Sequence, residues 1–479
     1  MSSNWPIVRI DDIKADRKNA ITIGPFGSRM KSDCYTESGI AVIRGTNLGP
    51  TSHFINDFVY ITEEKADELT SCNVYKNDLV FPHRGSIGEV GIVEHDQRYV
   101  LSSSLMKLTC ATDKACPKFV YYFFKSSTGR HELLKNASQV GTPGIGQPLS
   151  SLKSIELSLP PLRTQENIAK ILSSLDEKIH INQKINQTLE QMAQALFKSW
   201  FVDYEPVKAK IEVLKAGGSQ ENATLAAMTA ISGKDADSLT VFEREHPEKY
   251  AELKATAELF PSVMQESELG EIPEGWAIDN LGTIIEFNPK RILKKGINAP
   301  YLDMKNVPVK GHSVQEVVCR EVTSGTKFKN GDTLLARITP CLENGKTAFV
   351  DFLSSNDTVG WGSTEFIVMR IKRDLPLSLS YFIARLESFR IMAIQSMQGT
   401  SGRQRADAGV LQNMPWVIPP DALLVEFGKF SNFVIDNNRI KHNQNTLLSQ
   451  LRDTLLPKLL SGEITLPEAE ELAKEADYV

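Results

Sequence analysis

Apolar residues recur in alternating steps of three and four along two stretches of the chain, a pattern typical of a narrow helical stripe. It predicts one helix from about Gln165 to Phe201 and a second within residues 419–462. The seam positions are Leu172, Leu175, Ile179, Asn182, Asn186, Leu189, Ala193 and Leu196 in the first helix, and Phe430, Phe433, Asn437, Ile440, Gln444, Leu447, Leu451 and Leu455 in the second. Polar residues in the middle of each seam commonly fix register and partner. We expect the helices to pack against each other; the alternative is that each packs only on its own domain.

The rest of the chain contains two diverged copies of one pattern. Each copy has a tryptophan near its start, a strand entered by a turn, a second strand, an aromatic-rich helix, a Gly/Thr loop and a Pro-Pro pair. The matching segments are 4–7 with 275–278, 76–81 with 329–335, 88–93 with 345–350, 119–124 with 379–383, 141–142 with 399–400, and 160–161 with 419–420. Two copies in one order predict a tandem duplication of one domain plus one helix.

This organisation predicts an α+β protein. Two globular mixed α/β domains are separated by two long antiparallel helices that form a coiled coil, with a pseudo-twofold internal repeat. The predicted boundaries are 1–160 for the first domain, 161–202 for the first long helix, 203–270 for an acidic helical insert, 271–418 for the second domain, 419–462 for the second long helix and 463–479 for an acidic tail. We interpret the insert as a solvated helical linker or, alternatively, as a partner contact.

Composition and charge narrow the class of protein. The chain has 479 residues, of which 41% are hydrophobic and 24% charged, as in soluble globular proteins. The six cysteines form no CxxC pair, and the sequence lacks both a signal-peptide pattern and an apolar run of membrane-spanning length, so we expect a cytoplasmic protein with reduced thiols. The net charge of −5 comes largely from the insert, which contains 13 acidic and 7 basic residues, and from the tail. The two globular segments are near neutral or slightly basic, which leaves room for contacts with phosphates.

Several motifs resemble one known family. The segments Leu159-Pro160-Pro161-Leu162-Arg163-Thr164-Gln165-Glu166 and Trp200-Phe201-Val202-Asp203-Tyr204 are similar to conserved regions of the specificity subunits of Type I restriction–modification systems. Gly270-Glu271-Ile272-Pro273-Glu274-Gly275-Trp276 resembles the usual entry to the second target-recognition domain of such a subunit. The resemblance extends over nearly the whole chain. It departs from the family at the acidic insert and at the second Pro-Pro pair, which lacks a following Gln-Glu.

The resemblance implies a non-catalytic DNA-specificity subunit. Each domain would recognise one half of a bipartite, asymmetric DNA target. The helices would dock two copies of a methyltransferase subunit and set the spacing between half-sites, and motor–nuclease subunits would join for cleavage. No cofactor is expected in this chain; S-adenosylmethionine would belong to the methyltransferase, and ATP and Mg to the motor–nuclease. A helix of about 36 residues is about 54 Å long, or roughly 16 base pairs, which suits two domains on one DNA face.

Candidate DNA-binding residues lie in loops between predicted strands, where side chains can reach base edges. Arginine can pair with guanine and glutamine with adenine in the major groove. The candidates are Arg44, His83, Arg84, Ser86, Gln139, Thr142 and Gln147 in the first domain, and Arg337, Thr339, Lys346, Thr400, Ser401, Arg403, Gln404 and Arg405 in the second. Each of them could instead be a solvated loop residue, and His83 could equally be structural.

Catalytic patterns are missing from the sequence. There is no GxxxxGK[ST] loop, and the glycines of Gly141–Gly146 have the wrong spacing for a dinucleotide fingerprint. The eight histidines are scattered and form no metal-ligand cluster. A self-contained methyltransferase or nuclease is therefore disfavoured. The remaining alternative is a coiled-coil protein-interaction scaffold without DNA readout.

Overall fold

The structure, a computed structural model, describes residues 5–26, 29–55, 57–138, 143–399 and 403–475. The chain divides into unit 1, Met1–Gln183 with Asn443–Val479, and unit 2, Lys184–His442. Both long helices are therefore shared: each contributes one segment to unit 1 and another to unit 2. This division differs from the predicted one, in which each long helix stood apart from the globular domains.

The globular part of unit 1 precedes the first long helix. Its strands are β1 (Ile7–Arg9), β2 (Ile21–Ile23), β3 (Ile40–Ile43), β4 (Val59–Ile61), β5 (Asn73–Val74), β6 (Leu79–Pro82), β7 (Gly91–Ile92), β8 (Tyr99–Leu101), β9 (Leu105–Leu108), β10 (Ala137–Ser138), β11 (Gly144–Ile145) and β12 (Glu156–Ser158). Its helices are α1 (Ile10–Ile13), α2 (Glu63–Glu68), α3 (Pro117–Lys125), α4 (Ser127–Leu134) and α5 (Pro148–Ser154), and the long helix α6 (Leu162–Phe201) follows.

Unit 2 begins within α6 and contains the insert and the second globular domain. Its further helices are α7 (Glu205–Lys215), α8 (Gln220–Ser232), α9 (Ala236–Glu245), α10 (Pro247–Glu258), α11 (Leu379–Arg385), α12 (Glu387–Gln395), α13 (Ala408–Gln412) and the first part of α14 (Asp421–Ser461). Its strands are β13 (Met264–Gln265), β14 (Ile272–Pro273), β15 (Ala277–Asn280), β16 (Ile285–Phe287), β17 (Asn298–Leu302), β18 (Val318–Glu321), β19 (Thr326–Phe328), β20 (Thr333–Ala336), β21 (Thr347–Phe349), β22 (Gly360–Gly362), β23 (Phe366–Ile371) and β24 (Pro415–Ile418). The last helix, α15 (Leu466–Glu475), belongs to unit 1.

Sheet topology confirms the internal repeat. Unit 1 has the strand orders β2-β9-β6-β7 and β4-β3-β8-β5, and unit 2 has β16-β23-β20-β21 and β18-β17-β22-β19. In each unit the second sheet contains one parallel pair, β3 with β8 and β17 with β22. The first and last strands of each domain also pair, β1 with β12 and β15 with β24. The two globular domains therefore share one strand framework.

A turn with a buried aspartate precedes the strand β6 and its counterpart β20. Asn77 and Gly331 occupy the same place in this turn with φ of 72° and 86°, a region that favours asparagine and glycine. The next residue is Asp78 or Asp332, whose buried carboxylate accepts a backbone N–H from three residues earlier at 3.0 and 2.7 Å. Basic side chains also pair with both carboxylates, Lys107 with Asp78 at 3.5 Å and Arg370 with Asp332 at 2.6 Å, so neither charge is buried alone.

The aromatic-rich helices α3 and α11 connect the sheets to the long helices. The fully buried Tyr122 donates its hydroxyl to Asp176 on α6 at 2.9 Å in unit 1. In unit 2 the buried Tyr381 donates to Glu190 on α6 at 2.5 Å. Each long-helix segment is thus part of its unit's core. To this extent the helices pack on the globular domains, as in the alternative interpretation.

The long helices also pair with each other, antiparallel, within each unit. In unit 1, Asp176 on α6 binds Arg452 on α14 at 2.7 Å, and Asn182 donates to Gln444 and Asn445 at 2.8 and 2.9 Å. In unit 2, Asn186 donates to the carbonyl of Asn438 at 3.2 Å. Closer to the end of α6, the rings of Phe197 and Phe427 lie 5.1 Å apart. The expectation of paired helices is therefore confirmed.

The second seam was predicted wrongly at three positions, Phe433, Ile440 and Leu447. In the first predicted seam, Leu172, Leu175, Ile179, Asn182 and Ala193 are buried, whereas Asn186, Leu189 and Leu196 are half-buried. In α14 the predicted positions Phe433, Ile440 and Leu447 are 53%, 61% and 49% exposed. Phe430, Asn437, Gln444 and Leu451 are half-buried, and Leu455 is buried.

The buried face of α14 instead passes through the following residues: Phe427, Ser431, Val434, Asn438, Leu448, Leu455 and Leu459. Several seam positions have a neighbour of similar character, such as Phe433 beside Val434 and Leu447 beside Leu448. Both frames therefore satisfy the three-and-four spacing, and only packing against the domain and α6 selects one of them.

The insert and the tail are folded parts of their units. Helices α8, α9 and α10 share a small core that includes Met228, Leu239 and Ala257. Val207 of α7 joins the main core of unit 2 beside Trp276. The predicted solvated linker is therefore wrong in this respect, and the predicted acidic tail contains α15, whose Ala469 is fully buried. Within the described ranges, no helix is both long enough and apolar enough to cross a membrane.

The register of α14 can be tested with two adjacent leucines. Leu448 is 1% exposed and Leu447 is 49% exposed. We expect Leu448→Ala to lower the free energy of unfolding by about 2–5 kcal/mol, because it leaves a cavity in the core. The matched control Leu447→Ala should change it by no more than about 0.5 kcal/mol. Urea unfolding followed by circular dichroism measures both; equal losses, or a larger loss for Leu447→Ala, would restore the predicted register.

Candidate nucleic-acid interface

In unit 1, three loop segments meet beyond the end of β6. Backbone bonds join the first two: Gly85 donates to the carbonyl of Pro143 at 2.9 Å, and Ile145 donates to that of His83 at 2.9 Å. The third segment approaches closely at Gly45, where a Cβ atom would lie 2.7 Å from the Ser86 hydroxyl. A side chain at this position would force the Ser86 hydroxyl to move. The meeting of these segments brings candidates from distant parts of the sequence onto one loop cluster.

The candidate side chains of this cluster differ in accessibility. Arg84, Ser86 and Gln147 are exposed, and Gln147 has a left-handed φ of 49° at the start of α5. Arg44 is half-buried; its Nη2 donates to the carbonyl of Asp57 at 3.1 Å, while its buried Nε has no hydrogen-bond partner within the described ranges. Gln139 and Thr142 lie outside the described residues.

His83 occupies a structural position in the same loop. Its side chain is buried, at 4% exposure, and its Nε2 lies 3.1 Å from the carbonyl oxygen of Ser103. Burial lowers the pKa of His83 and keeps the ring neutral. A buried ring bonded to the backbone does not reach a base edge, so we do not retain His83 among the candidate DNA contacts.

Unit 2 forms the equivalent cluster beyond β20. Arg405 pairs through its backbone with Gln398 on one side and lies opposite Ile338 on the other. Thr339 donates to the carbonyl of Gln404 at 3.1 Å, and Ala406 donates to that of Arg337 at 2.8 Å. The arrangement repeats the bridge between Arg84 and Gly144 in unit 1. Arg337, Thr339, Arg403, Gln404 and Arg405 are thus gathered in one place, whereas Thr400 and Ser401 lie outside the described residues.

The cations of this second cluster are held in different ways. Arg403 is exposed and, in the described part of the chain, has no ion pair. Arg405 forms an ion pair with Glu365 at 2.7 Å. Lys346 is half-buried and donates to the carbonyl of Met304 at 2.7 Å, so its ammonium also supports a neighbouring turn. Glu365 was missed by sequence reasoning because it lies 40 residues from its partner and belongs to no motif.

Among the residues that the structure describes, two buried polar atoms in the unit 2 cluster have no hydrogen-bond partner. They are Nε of Arg337 and the hydroxyl of Thr339, both on the segment that leaves β20. A buried polar group without a protein partner can bond to water or to an external acceptor, and such groups also occur outside the clusters, as at Nε1 of Trp200. Nε of Arg44 has the same status in unit 1. Both clusters thus contain arginine, small residues and a buried arginine Nε that has no partner among the described residues.

Comparison with known proteins identifies the family. The family model of the Type I restriction modification DNA specificity domain matches residues 4–191. The Type I restriction enzyme HindI specificity subunit of Haemophilus influenzae is 30% identical over 417 residues, covering 82% of this chain and 87% of that protein. The chain belongs to the family of Type I restriction–modification specificity subunits.

Two further comparisons give lower identity. The MjaIX specificity subunit of Methanocaldococcus jannaschii is 24% identical over 432 residues, covering 86% of this chain and 85% of that protein. The crystal structure of the S subunit from M. genitalium overlaps with a TM-score of 0.48 at 15% identity, over 96% of this chain and 97% of that chain. Specificity subunits are non-catalytic, and the role of this chain is accordingly DNA specificity.

The pH dependence of stability distinguishes a structural His83 from one that contacts DNA. Because burial lowers the pKa of His83 below 6.5, the unfolded chain binds a proton that the folded chain excludes. The stability associated with the neutral ring is therefore complete above pH 6.5 and is lost as the pH falls below it. We expect His83→Gln, which keeps a donor for Ser103, to show a smaller fall in melting temperature between about pH 7.5 and about pH 5.5 than the parent chain. An unchanged pH dependence together with an altered methylation motif would instead assign His83 to DNA contact.

Proposed function

We propose that each unit recognises one half of a bipartite, asymmetric DNA target through its loop cluster. The observation that carries this proposal is the repetition of one strand framework, with the cluster beyond β6 in unit 1 and beyond β20 in unit 2. The side chains of the two clusters differ, for example Gly144 against Arg405 at equivalent bridges. A common framework with different side chains suits two half-sites of different sequence.

The chemistry of the clusters supports DNA as the ligand. Arg84 and Arg403 are exposed cations, and such groups bind phosphates or the acceptor edge of guanine. The unpaired Nε atoms of Arg44 and Arg337 would gain an acceptor from a bound duplex or its ordered water.

The long helices would set the spacer between half-sites and dock methyltransferase subunits. α6 has 40 residues, about 60 Å at 1.5 Å per residue. In unit 2 the outward-facing residues Ile185 and Met192 on α6, and Phe433 and Ile440 on α14, are apolar and 37–61% exposed. The seven-residue spacing of each pair suits an added helix from a partner. Two methyltransferase copies would supply S-adenosylmethionine and flip the target adenine, and motor–nuclease subunits would supply the ATP- and Mg-dependent cleavage.

Exchange of one domain tests half-site recognition. We expect replacement of residues 1–160 by the matching segment of the HindI specificity subunit to change one half of the methylated sequence and leave the other half intact. The reciprocal exchange of residues 271–418 should change only the other half. Single-molecule sequencing of methylated bases, in cells that express the complete system, reads both halves. A motif that stays the same, or changes in both halves after one exchange, contradicts domain-wise recognition.

Substitutions on the exposed face of α14 test methyltransferase docking. We expect Phe433→Glu combined with Ile440→Glu to weaken copurification with the methyltransferase subunit by about ten-fold or more, since each adds a charge to an apolar contact. Val241 on α9 is 43% exposed, so Val241→Glu provides a matched control on another surface. Size-exclusion chromatography with light scattering measures the complex. Equal behaviour of the double variant and the control would exclude this face of α14 from the interface.

A further inference from the structure

The guanidinium of Arg405 is held along one edge by the carboxylate of Glu365. Nε donates to Oε2 at 2.8 Å and to Oε1 at 3.0 Å, and Nη2 donates to Oε1 at 2.7 Å. This is a two-pronged contact that fixes the plane of the guanidinium as well as its position. The Arg405 side chain nevertheless remains 44% exposed, so its other edge is accessible.

Backbone hydrogen bonds fix both partners. The N–H and carbonyl of Arg405 bond to Gln398 at 2.9 and 3.0 Å. The N–H of Glu365 donates to the Ser363 hydroxyl at 3.1 Å, and its carbonyl accepts the N–H of Arg337 at 2.9 Å. Because neither end of the pair lies on an unsupported backbone, the free edge of Arg405 has a defined direction before any ligand binds.

The donors left free match one base. A guanidinium has five N–H groups, and Glu365 uses the one on Nε and one on Nη2. Three hydrogens remain, two on Nη1 and one on Nη2, and one from each nitrogen forms an end-on pair of parallel donors. Guanine offers O6 and N7 as adjacent acceptors in the major groove, whereas adenine offers N7 beside a donor. A clamped arginine therefore favours guanine and has already lost much of the side-chain freedom that binding would otherwise cost.

A carboxylate on a loop that faces DNA lowers the affinity for DNA. Its presence there favours a role in orienting Arg405. Its charge repels phosphates and weakens sequence-independent binding. The hydrogen bond from Arg405 lowers the pKa of Glu365, so the group remains ionised at neutral pH and this repulsion is not relieved by protonation. Improved discrimination between bases, through the orientation that Glu365 imposes on Arg405, would offset this loss of DNA affinity.

We propose that Glu365 is a specificity-determining positioning residue that directs the free edge of Arg405 toward a guanine in the half-site recognised by unit 2. The proposal rests on the proposed function of unit 2. It assigns the base contact to Arg405 and the orientation of that contact to a residue that does not itself touch the base.

The test uses the full chain in complex with its methyltransferase, with binding and methylation measured on duplexes that carry each base at each target position. The variants are Glu365→Gln, which removes the charge at nearly constant shape, and Arg405→Lys, which keeps the charge and loses the fork. Asp421→Asn is the matched control, because Asp421 forms an ion pair with Arg373 at 3.1 Å elsewhere in unit 2.

We expect Glu365→Gln and Arg405→Lys to lose preference for guanine at one shared position of the second half-site, by at least about five-fold. Sequence-independent binding should be unchanged or stronger in Glu365→Gln, and the first half-site and Asp421→Asn should behave as the parent chain. Retention of the guanine preference in Glu365→Gln, or a loss spread over all positions, overturns the positioning role. A parent complex without any preference in the second half-site would instead refute the proposed function.

Discussion

Buried polar contacts between the two long helices constrain the rest of the structure. Asn182 in unit 1 and Asn186 in unit 2 each donate a hydrogen bond to α14. Asp176 forms an ion pair with Arg452, and the two side chains are only 1% and 11% exposed. Polar groups buried in such a seam must find their partners, so a shift of one residue in either helix leaves several of them unpaired. The contacts therefore select one antiparallel register out of several that apolar packing alone would allow.

The domains attach to these helices by the same type of contact. Tyr122 and Tyr381 each donate a buried hydroxyl to a carboxylate on α6, one in unit 1 and one in unit 2. Because the strand order is repeated, the loops that leave β6 and β20 end at equivalent places in their units. A scaffold of this kind keeps its framework while the loop side chains change, which is what recognition of different DNA sequences requires.

The loop clusters could be only partly predicted from the sequence. Arg84, Arg403 and Arg405 were predicted as candidate DNA contacts because arginine in a Gly-rich loop is a recognisable signal. The structure places each of them in a loop cluster. The buried state of His83 and the role of Glu365 left no such signal, since both depend on groups that lie 20 and 40 residues away along the chain. The acidic character of the insert gave no indication that α8, α9 and α10 share an apolar core.

By itself, the sequence determined the duplication, the two long helices, the polar positions in the middle of the α6 stripe and the resemblance to the family. Spacing, turn residues and motifs are local properties of the chain. Only the tertiary structure decided which face of α14 is buried, since Leu447 and Leu448 satisfy the same periodicity and differ only in what lies against them. It also decided that Arg405 is clamped by Glu365. Pairing of charges across a fold depends on three-dimensional distance, and the sequence does not encode that distance in any local pattern.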